Sequence, residues 1–487
     1  MNRYVQYMYS YPHKTAYRPL QNVSLIDYME NLAGEGHSLY LHLPFCESKC
    51  GYCNLFSVAG CGRDCIDAYL DALVRQLEQY REILPKSTVF ENFTIGGGTP
   101  LLLDPGQLQR TLQTVRAYMP LRKDCDIIIE TAPKQTDGKK ARMLKELGVT
   151  RVSMGIQSFQ EEELAWLGRQ HDGRRAQAAA ELLTGMGFGC VNFDFIYGLP
   201  GQTPESLLRS LEKAVSYLPD ELFLYPLYIK HGVRLEKDGK GAELDSDHTY
   251  RLYRQGAAYL KGQGYVQISM RRFVKRKNVH GTGREFQECG FTGALSLGCG
   301  GRSYLGRLHA CTPYRTARQG ALEEIQEFCR REEFLSVTNG ILLSDEEIKR
   351  RYVIKHLLIG PGISRAAYGR SFGAEVTEDF PIFRTWTQLG WLEEMGEECL
   401  DCGIRGENSS VREGDRDRQG YNEQDWGSRV SMDGGVEHSG GNKGGYIGLT
   451  EEGLGLSDYL GPQLISEEVR KRMLEWERDN GQENSFL

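Results

Sequence analysis

The chain has 487 residues, which is too long for one ordinary domain and indicates two or three. The formal net charge of −7 gives no reason to expect binding to nucleic acid or to an anionic membrane. The first 20 residues are polar and aromatic, and no stretch reaches the length of a membrane span. We therefore expect a cytoplasmic protein without a secretory signal or a membrane span.

Apolar runs alternate with amphipathic segments from residue 38 to about residue 230, which favours a parallel sheet of strands joined by helices. Six runs are predicted strands: LYLHL (39–43), FENFTI (90–95), DIIIE (126–130), TRVSMGI (150–156), CVNFDFI (190–196) and ELFLYPLY (221–228). The clearest helix between them is residues 65–84, where apolar side chains recur every three or four positions. Six repeats are too few for a closed eight-stranded barrel. The predicted fold class is therefore α/β, with a partial (β/α)6 TIM-like barrel.

Two helix starts are marked by capping residues. Ser158 and Glu161 have capping-box spacing, and Thr203 followed by Pro204 is typical of an N-cap and a first helical residue. Both predicted starts directly follow a predicted strand, as a strand–helix repeat requires.

The alternation of predicted strands and helices ends at about residue 230. Segments 264–273 and 293–309 are predicted to contain strands and glycine turns, and residues 321–398 are predominantly helical in pattern. Residues 403–446 are rich in Gly, Asp, Arg and Ser and poor in large aliphatic side chains, which predicts a disordered insert. Folded-looking sequence resumes after it, so the insert interrupts a domain.

These patterns predict three parts of the chain. Residues 1–37 form an N-terminal arm, and residues 38–310 form the α/β core and its C-terminal extension. Residues 311–487 form a smaller, mainly helical C-terminal domain that contains the insert.

Three cysteines, Cys46, Cys50 and Cys53, follow the first predicted strand within eight positions. A structural zinc site takes four ligands, and no further cysteine or histidine stands at a close conventional spacing unless Cys61 or Cys65 folds back. Three thiolates on a 4Fe-4S cluster leave one iron open. S-adenosylmethionine can chelate that iron through its amino and carboxylate groups, and an electron from the cluster then cleaves the sulfonium to a 5′-deoxyadenosyl radical.

The three cysteines could also be buried apolar thiols that stand at this spacing by chance. The preceding strand and Tyr52, directly before the third cysteine, disfavour that interpretation.

The other cysteine pairs are weaker evidence for a metal site. The pairs Cys61–Cys65 and Cys399–Cys402 are either auxiliary metal sites or unpaired reduced thiols, and the absence of a nearby second pair favours the thiols.

Five motifs in order resemble the radical SAM superfamily, specifically its HemN/HemW group of oxygen-independent coproporphyrinogen III oxidases and haem chaperones. They are YLHLPFCESKCGYCNLFS, TIGGGTPLLL, ETAP, RVSMGIQSFQEEELAWLGRQH and NFDFIYGLPGQTPES. The resemblance is strong over residues 38–230 and loose to about 310, and it implies a barrel of the radical SAM type. It also implies a 4Fe-4S cluster on Cys46, Cys50 and Cys53.

The resemblance assigns cofactor contacts near the thiols. It implies that Gly96, Gly97 and Gly98 hold the methionine end of S-adenosylmethionine, since glycines allow close approach to the backbone, and that Thr99 also binds the cofactor. Tyr40 and Tyr52 are implied to lie beside the cofactor and the cluster.

Four further cofactor contacts are implied at later strand ends. Glu130 ends the third strand, Gln157 follows the fourth, and Arg169 offers a cation for the cofactor carboxylate. Asp194 faces the opposite way from Phe193 and its apolar neighbours, where a charge needs a partner. No residue is assigned to the catalytic step itself.

The substrate is left open by the sequence. Oxidases of the group carry a cysteine two positions beyond the third, where this chain has Leu55, and the chaperone branch also lacks it. The leading hypothesis is a radical SAM oxidoreductase acting on a small molecule, with a tetrapyrrole among the candidates and flavodoxin or ferredoxin as electron donor. The alternatives are a haem-binding chaperone, for which His42, His171 and His309 are candidate ligands, and a structural zinc protein.

Overall fold

The strands belong to one large sheet and two small ones. The computed structural model describes residues 2–8, 10–230, 232–240, 245–276, 293–315, 317–396 and 444–479. The strands are β1 (Arg18–Pro19), β2 (His37–Leu43), β3 (Phe45–Cys46), β4 (Val58–Ala59), β5 (Phe90–Gly97), β6 (Leu121–Thr131), β7 (Arg151–Gln157), β8 (Cys190–Tyr197), β9 (Glu221–Pro226), β10 (Tyr265–Gln267), β11 (Arg272–Lys275), β12 (Ala294–Leu297), β13 (Arg302–Leu305), β14 (Leu308–Cys311), β15 (Asn339–Leu342), β16 (Ile363–Ser364), β17 (Leu392–Met395) and β18 (Tyr446–Leu449).

Helices follow most strands of the first half and make up most of the second. They are α1 (Arg63–Ile83), α2 (Pro105–Tyr118), α3 (Gly138–Glu146), α4 (Glu161–Leu167), α5 (Gly173–Gly185), α6 (Pro204–Ser216), α7 (Arg234–Lys237), α8 (Ser246–Gly262), α9 (Arg318–Arg330), α10 (Asp345–Leu357), α11 (Arg365–Phe372), α12 (Val376–Asp379), α13 (Ile382–Gln388), α14 (Glu451–Gly455), α15 (Ser457–Gln463) and α16 (Glu467–Asp479). Short 3-10 helices span Lys14–Ala16, Leu25–Leu32 and Pro100–Leu102. In the described part of the chain, no helix is long and apolar enough to cross a membrane.

The large sheet has 13 strands in the order β1-β15-β14-β13-β12-β2-β5-β6-β7-β8-β9-β11-β10. Its centre, β2-β5-β6-β7-β8-β9, contains the six predicted strands, and each pairs in parallel with the next. The predicted parallel α/β core is confirmed. Antiparallel strands extend the sheet at both ends, and β12 adds a seventh parallel strand beside β2.

One of the two predicted caps is confirmed. Thr203 accepts a hydrogen bond from Ser206 N–H at 3.2 Å and completes a capping box at the start of α6. The prediction for Ser158 is wrong, because α4 has Gln160 at its N-cap position with no side-chain cap. Ser158 instead donates from Oγ to Glu163 at 2.5 Å, since the chain is still leaving the strand at that point.

Two large apolar clusters underlie the sheet and the helical half. The first is formed by the parallel strands and the helices around them. The second joins α10–α16 and β16–β18 with Met8, Tyr11, Ala16 and Tyr17 of the N-terminal segment. The division into an arm, a core and a C-terminal domain stays a prediction. Of the predicted insert, residues 403–443 lie outside the described residues, and Tyr446 belongs to β18.

Candidate metal and cofactor site

The loop with the three cysteines begins where β2 ends, and the glycine run at the end of β5 holds it there. Gly98 N–H donates to the Leu43 carbonyl and Thr99 N–H to the Phe45 carbonyl, both at 2.8 Å. Cys46 lies in β3, which pairs in parallel with β4. The first thiol is therefore fixed by backbone pairing on two sides.

The three thiols lie on one loop but are not drawn together at ligand distances. Cys53 N–H donates to the Cys50 carbonyl at 3.2 Å, so the second and third cysteines share a turn. Burial raises the pKa of the Cys46 thiol, and burial with the nearby Cys50 raises the pKa of Cys53 to about 11. Within the described ranges, no three His, Cys, Asp or Glu side chains form a metal-binding group.

Arg169 contacts both the cysteine loop and β7. Its Nη1 lies 3.1 Å from Cys50 Sγ, and its Nη2 donates to the Gly155 carbonyl at 2.5 Å. Its Nε is buried and has no hydrogen-bond partner among the described residues. A buried guanidinium with a free donor is suited to binding a carboxylate.

Each glycine of the run lies too close to a different neighbouring residue to carry a side chain. A Cβ on Gly96 would lie 2.7 Å from the Glu130 carboxyl, and a Cβ on Gly98 would lie 2.4 Å from Phe45 O. Gly97 has φ +113°, and a Cβ there would lie 2.8 Å from the His42 ring. The glycines thus allow the protein's own groups to approach, in addition to the ligand approach that we predicted from the sequence.

Two half-buried carboxyl groups lie on β6 and β8, the strands on either side of β7. Glu130 accepts from Gly97 N–H at 3.1 Å, and burial raises its pKa to about 7. Asp194 accepts from Asn192 Nδ2 at 2.8 Å and from Ser153 Oγ at 3.4 Å, and burial raises its pKa to about 6. Both carboxyls gain or lose a proton close to neutral pH, so a bound cation would draw them into the ionised form.

Gln157 sits on an irregularity at the end of β7. The register between β7 and β8 shifts between Gly155 and Gln157, and Gln157 has φ +73°. A Cβ on Gly155 would lie 2.6 Å from Gln157 Nε2, so the Gln157 side chain turns back over that glycine. Such bulges redirect a side chain, and a positive φ on a residue with a Cβ is held by its surroundings.

The two predicted tyrosines lie in different elements, Tyr40 in β2 and Tyr52 in the cysteine loop. Tyr40 OH lies 3.2 Å from His42 Nδ1, and Tyr40 pairs across the sheet with Ser296. Tyr52 is half-buried, and its pKa is raised well above its usual value by burial, with Arg169 as the main opposing charge.

The three histidines are buried, which makes them poor candidates for a haem ligand. His42 also engages both ring nitrogens, with Tyr40 OH and with the Phe56 carbonyl at 2.8 Å. Burial lowers the pKa of His42 and of His171 to about 4, and it lowers the pKa of His309 well below its usual value. All three pKa values therefore lie below neutral pH.

The residues around the three thiols fit an iron–sulfur cluster together with a cofactor that carries both a positive and a negative charge. Thiolates are the ligands of iron–sulfur clusters, and iron deprotonates a coordinating thiol despite burial. Arg169 Nε, Asn192 Oδ1 and Ser296 Oγ are buried and unpaired in the described residues. Buried polar atoms without a protein partner usually face a bound ligand or an ordered water.

Sequence reasoning missed several residues that shape this site. Ser153 supports Asp194, and Gly155 accepts from Arg169, yet neither was assigned a role. Strand alternation could have found them, because positions 153 and 155 share a face with each other and pair with 192 and 194 on the next strand.

Comparison with known proteins identifies one matching family and several relatives. Residues 40–214 match the model of the Radical SAM superfamily. Heme chaperone HemW of Escherichia coli is 35% identical over 241 residues, 49% of this chain and 62% of that protein. Oxygen-independent coproporphyrinogen III oxidase of Pseudomonas aeruginosa is 35% identical over 195 residues, 40% of this chain and 42% of that protein.

The solved structure of coproporphyrinogen III oxidase (HemN) from Escherichia coli shares the fold. It has a TM-score of 0.70 at 24% identity and covers 80% of this chain and 91% of that chain. The matches to the HemW relatives span about three fifths of their length. The chain is a radical SAM superfamily protein related to the HemN/HemW group.

Proposed function

We propose that this protein is a radical SAM oxidoreductase of the coproporphyrinogen oxidase-like group. Cys46, Cys50 and Cys53 would hold a 4Fe-4S cluster, and the neighbouring strand ends would hold S-adenosylmethionine. The substrate is a small molecule of unknown identity, with a tetrapyrrole among the candidates. The cluster, when bound, supplies the electron that cleaves the cofactor and starts radical chemistry.

The contact between Arg169 and Cys50 supports this proposal most. The Arg169 guanidinium contacts the Cys50 thiol, and it also donates to the Gly155 carbonyl of β7 at 2.5 Å. Its Nε has no hydrogen-bond partner among the described residues, which suits a carboxylate bound beside the thiols. A structural zinc site would give no reason to bury a partly unsatisfied guanidinium next to a ligand.

The remaining residues have roles that follow from their chemistry. Glu130 and Asp194 are half-buried carboxyls that would bind positively charged or hydrogen-donating parts of the cofactor. When a cation binds, the Glu130 pKa falls from about 7 and the carboxyl releases its proton. Gln157 and Tyr40 present donors and acceptors suited to a ribose or a base. Gly97, Gly98 and Thr99 keep the strand end and the thiol loop together.

Cofactor cleavage tests the proposal. The protein is reconstituted with iron and sulfide, reduced without oxygen in the presence of S-adenosylmethionine, and assayed for 5′-deoxyadenosine. We expect its formation by the parent and none by Cys50→Ala. A parent that retains the cluster and does not bind S-adenosylmethionine would contradict the proposal.

A second candidate function is a haem chaperone of the HemW type. Leu55, which stands where the oxidases carry a further cysteine, is 47% exposed at the edge of the loop. An exposed leucine cannot replace a thiol ligand, and it offers an apolar contact instead. Haem titration followed by absorption separates the two functions: stoichiometric haem binding without cofactor cleavage would favour the chaperone.

Two further parts of the proposal come from the resemblance. The electron donor would be a flavodoxin or a ferredoxin, and the location would be cytoplasmic. Reduction of the reconstituted cluster by each purified donor, followed by absorption at the cluster bands, tests the first.

A further inference from the structure

Gly51, between the second and third cysteines, is held on two sides by segments that carry none of the triad. Its N–H donates to the Leu167 carbonyl at the end of α4, and its carbonyl accepts from Leu235 N–H in α7, both at 3.0 Å. A Cβ on Gly51 would lie 2.9 Å from Leu235 Cγ and 3.3 Å from Leu167 O. The three segments therefore fit together only because residue 51 lacks a side chain.

The α7 segment is attached to the same end of α4 by contacts of its own. Leu235 is 1% exposed, and its carbonyl accepts from Lys240 N–H at 2.9 Å. Lys240 Nζ lies 5.5 Å from the centre of the Trp166 ring on α4. The Arg234 guanidinium lies over Gly168, where a Cβ would come within 1.9 Å of Nη2. These contacts make α7 a fixed support rather than a loose neighbour of the cysteine loop.

Cys46 does not depend on this support. It is held by the pairing of β3 with β4, and Thr99 Oγ1 lies 3.9 Å from its sulfur. Cys50 and Cys53 lie on either side of the Gly51–Tyr52 pair, and their backbone is joined by one hydrogen bond at 3.2 Å. Loosening α7 should therefore affect the second and third thiols and leave the first in place.

We propose that Leu235 is a positioning residue for the cluster loop. By packing against Gly51 and bonding to its carbonyl, Leu235 presses the loop onto the end of α4, and this holds Cys50 beside Arg169. The inference rests on the proposed function for its meaning, since it assigns a support to the ligands of the cluster. The support itself belongs to the protein chain and can be measured without iron or cofactor.

The test compares thiol alkylation in iron-free protein kept without oxygen. Iodoacetamide is added, and the rate at each cysteine is read by mass spectrometry of peptides. We expect Leu235→Ala to raise the rates at Cys50 and Cys53 about tenfold and the rate at Cys46 less than about twofold, because local opening controls access. Leu235→Met, which keeps an apolar side chain of similar volume, should restore rates close to those of the parent.

The matched control is Leu357→Ala. Leu357 is also 1% exposed, and it lies in the second large apolar cluster, which contains no residue of the cysteine loop. We expect all three rates to stay near the parent values in this variant. An equal rise at all three cysteines in Leu235→Ala, or no rise at any, would overturn the proposal.

A second variant covers the case in which Leu235→Ala does not fold. Gly51→Ala places a methyl group against Leu235 and should produce the same selective rise at Cys50 and Cys53. An unselective change there would count against the proposal as well. Failure of the proposed function would appear separately, as absence of cofactor cleavage in a parent whose alkylation pattern is as expected.

Discussion

Arg169 lies with Nη1 3.1 Å from the sulfur of Cys50, which joins the end of the fourth strand–helix unit to the loop that follows the first strand. The residues are 119 positions apart, and the parallel order of β2-β5-β6-β7 brings their elements to one edge of the sheet. A cation at this place contacts the thiol with one donor and keeps another donor for a ligand. The predictions below concern this edge.

Loss of any one cysteine of the triad should prevent cluster assembly. We expect Cys46→Ala, Cys50→Ala and Cys53→Ala to lose nearly all iron and sulfide after reconstitution, because a cluster with two thiolates is not held. Cys61→Ala and Cys65→Ala are the controls and should keep the iron content of the parent. Retention of the cluster by Cys50→Ala would contradict the assignment.

Replacement of Arg169 by lysine should weaken cofactor binding while the cluster assembles. Lysine keeps the charge but cannot reach Cys50, the Gly155 carbonyl and a carboxylate at once. We expect the Kd for S-adenosylmethionine to rise about tenfold or more, consistent with a lost charged hydrogen bond. The exposed Arg174→Lys is the control, and equal affinity of the two variants would refute the role given to Arg169.

Gly98→Ala should block cluster assembly although residue 98 carries no ligand. A Cβ there would lie 2.4 Å from Phe45 O, so the strand end and the cysteine loop would be forced apart. The matched control is Gly185→Ala in α5, where a Cβ would meet nothing within 4 Å. We expect normal iron in the control and little in Gly98→Ala; normal iron in both would show that the loop tolerates the displacement.

The stability of iron-free protein should depend on pH through Glu130. Its pKa rises from 4.5 to about 7 on folding, so the folded state holds this proton more tightly than the unfolded state. Stability relative to Glu130→Gln is therefore highest below pH 4.5, falls as pH rises to about 7 and then levels off. The loss is on the order of 3 kcal/mol. Thermal melts of both proteins across this range measure it, and parallel curves would disprove the shift.

Removal of residues 403–443 should leave cluster assembly intact. The composition of this stretch cannot support a core, so a short Gly/Ser linker should replace it. Residues 445 and 446 must stay, because Gly445 O accepts from Arg365 N–H at 3.0 Å and Tyr446 pairs with Ser364. A deletion variant that is insoluble or free of iron after reconstitution would show that the stretch is structural.

Alternation was enough to predict the six parallel strands, but the contact between Arg169 and Cys50 was not predicted, because Arg169 was assigned to the cofactor carboxylate. Periodicity reports which side chains are buried, and parallel strands place their ends together. The bulge at Gln157 could not be predicted, because no local sequence pattern marks a residue whose left-handed backbone conformation is held by tertiary contacts. The same holds for Gly51 and Leu235, which meet across 184 positions through packing alone.

Asp194→Asn offers the most direct measurement of the central claim. Both it and the parent are reconstituted, reduced without oxygen with S-adenosylmethionine, and assayed for 5′-deoxyadenosine per cluster. The substitution keeps the size of the side chain and removes a half-buried charge in β8, so iron content and absorption should match the parent. The account predicts 5′-deoxyadenosine from the parent and at least about tenfold less from Asp194→Asn, in line with the loss of a charged hydrogen bond. Equal yields from both, or a parent that holds its cluster and makes none, would contradict it.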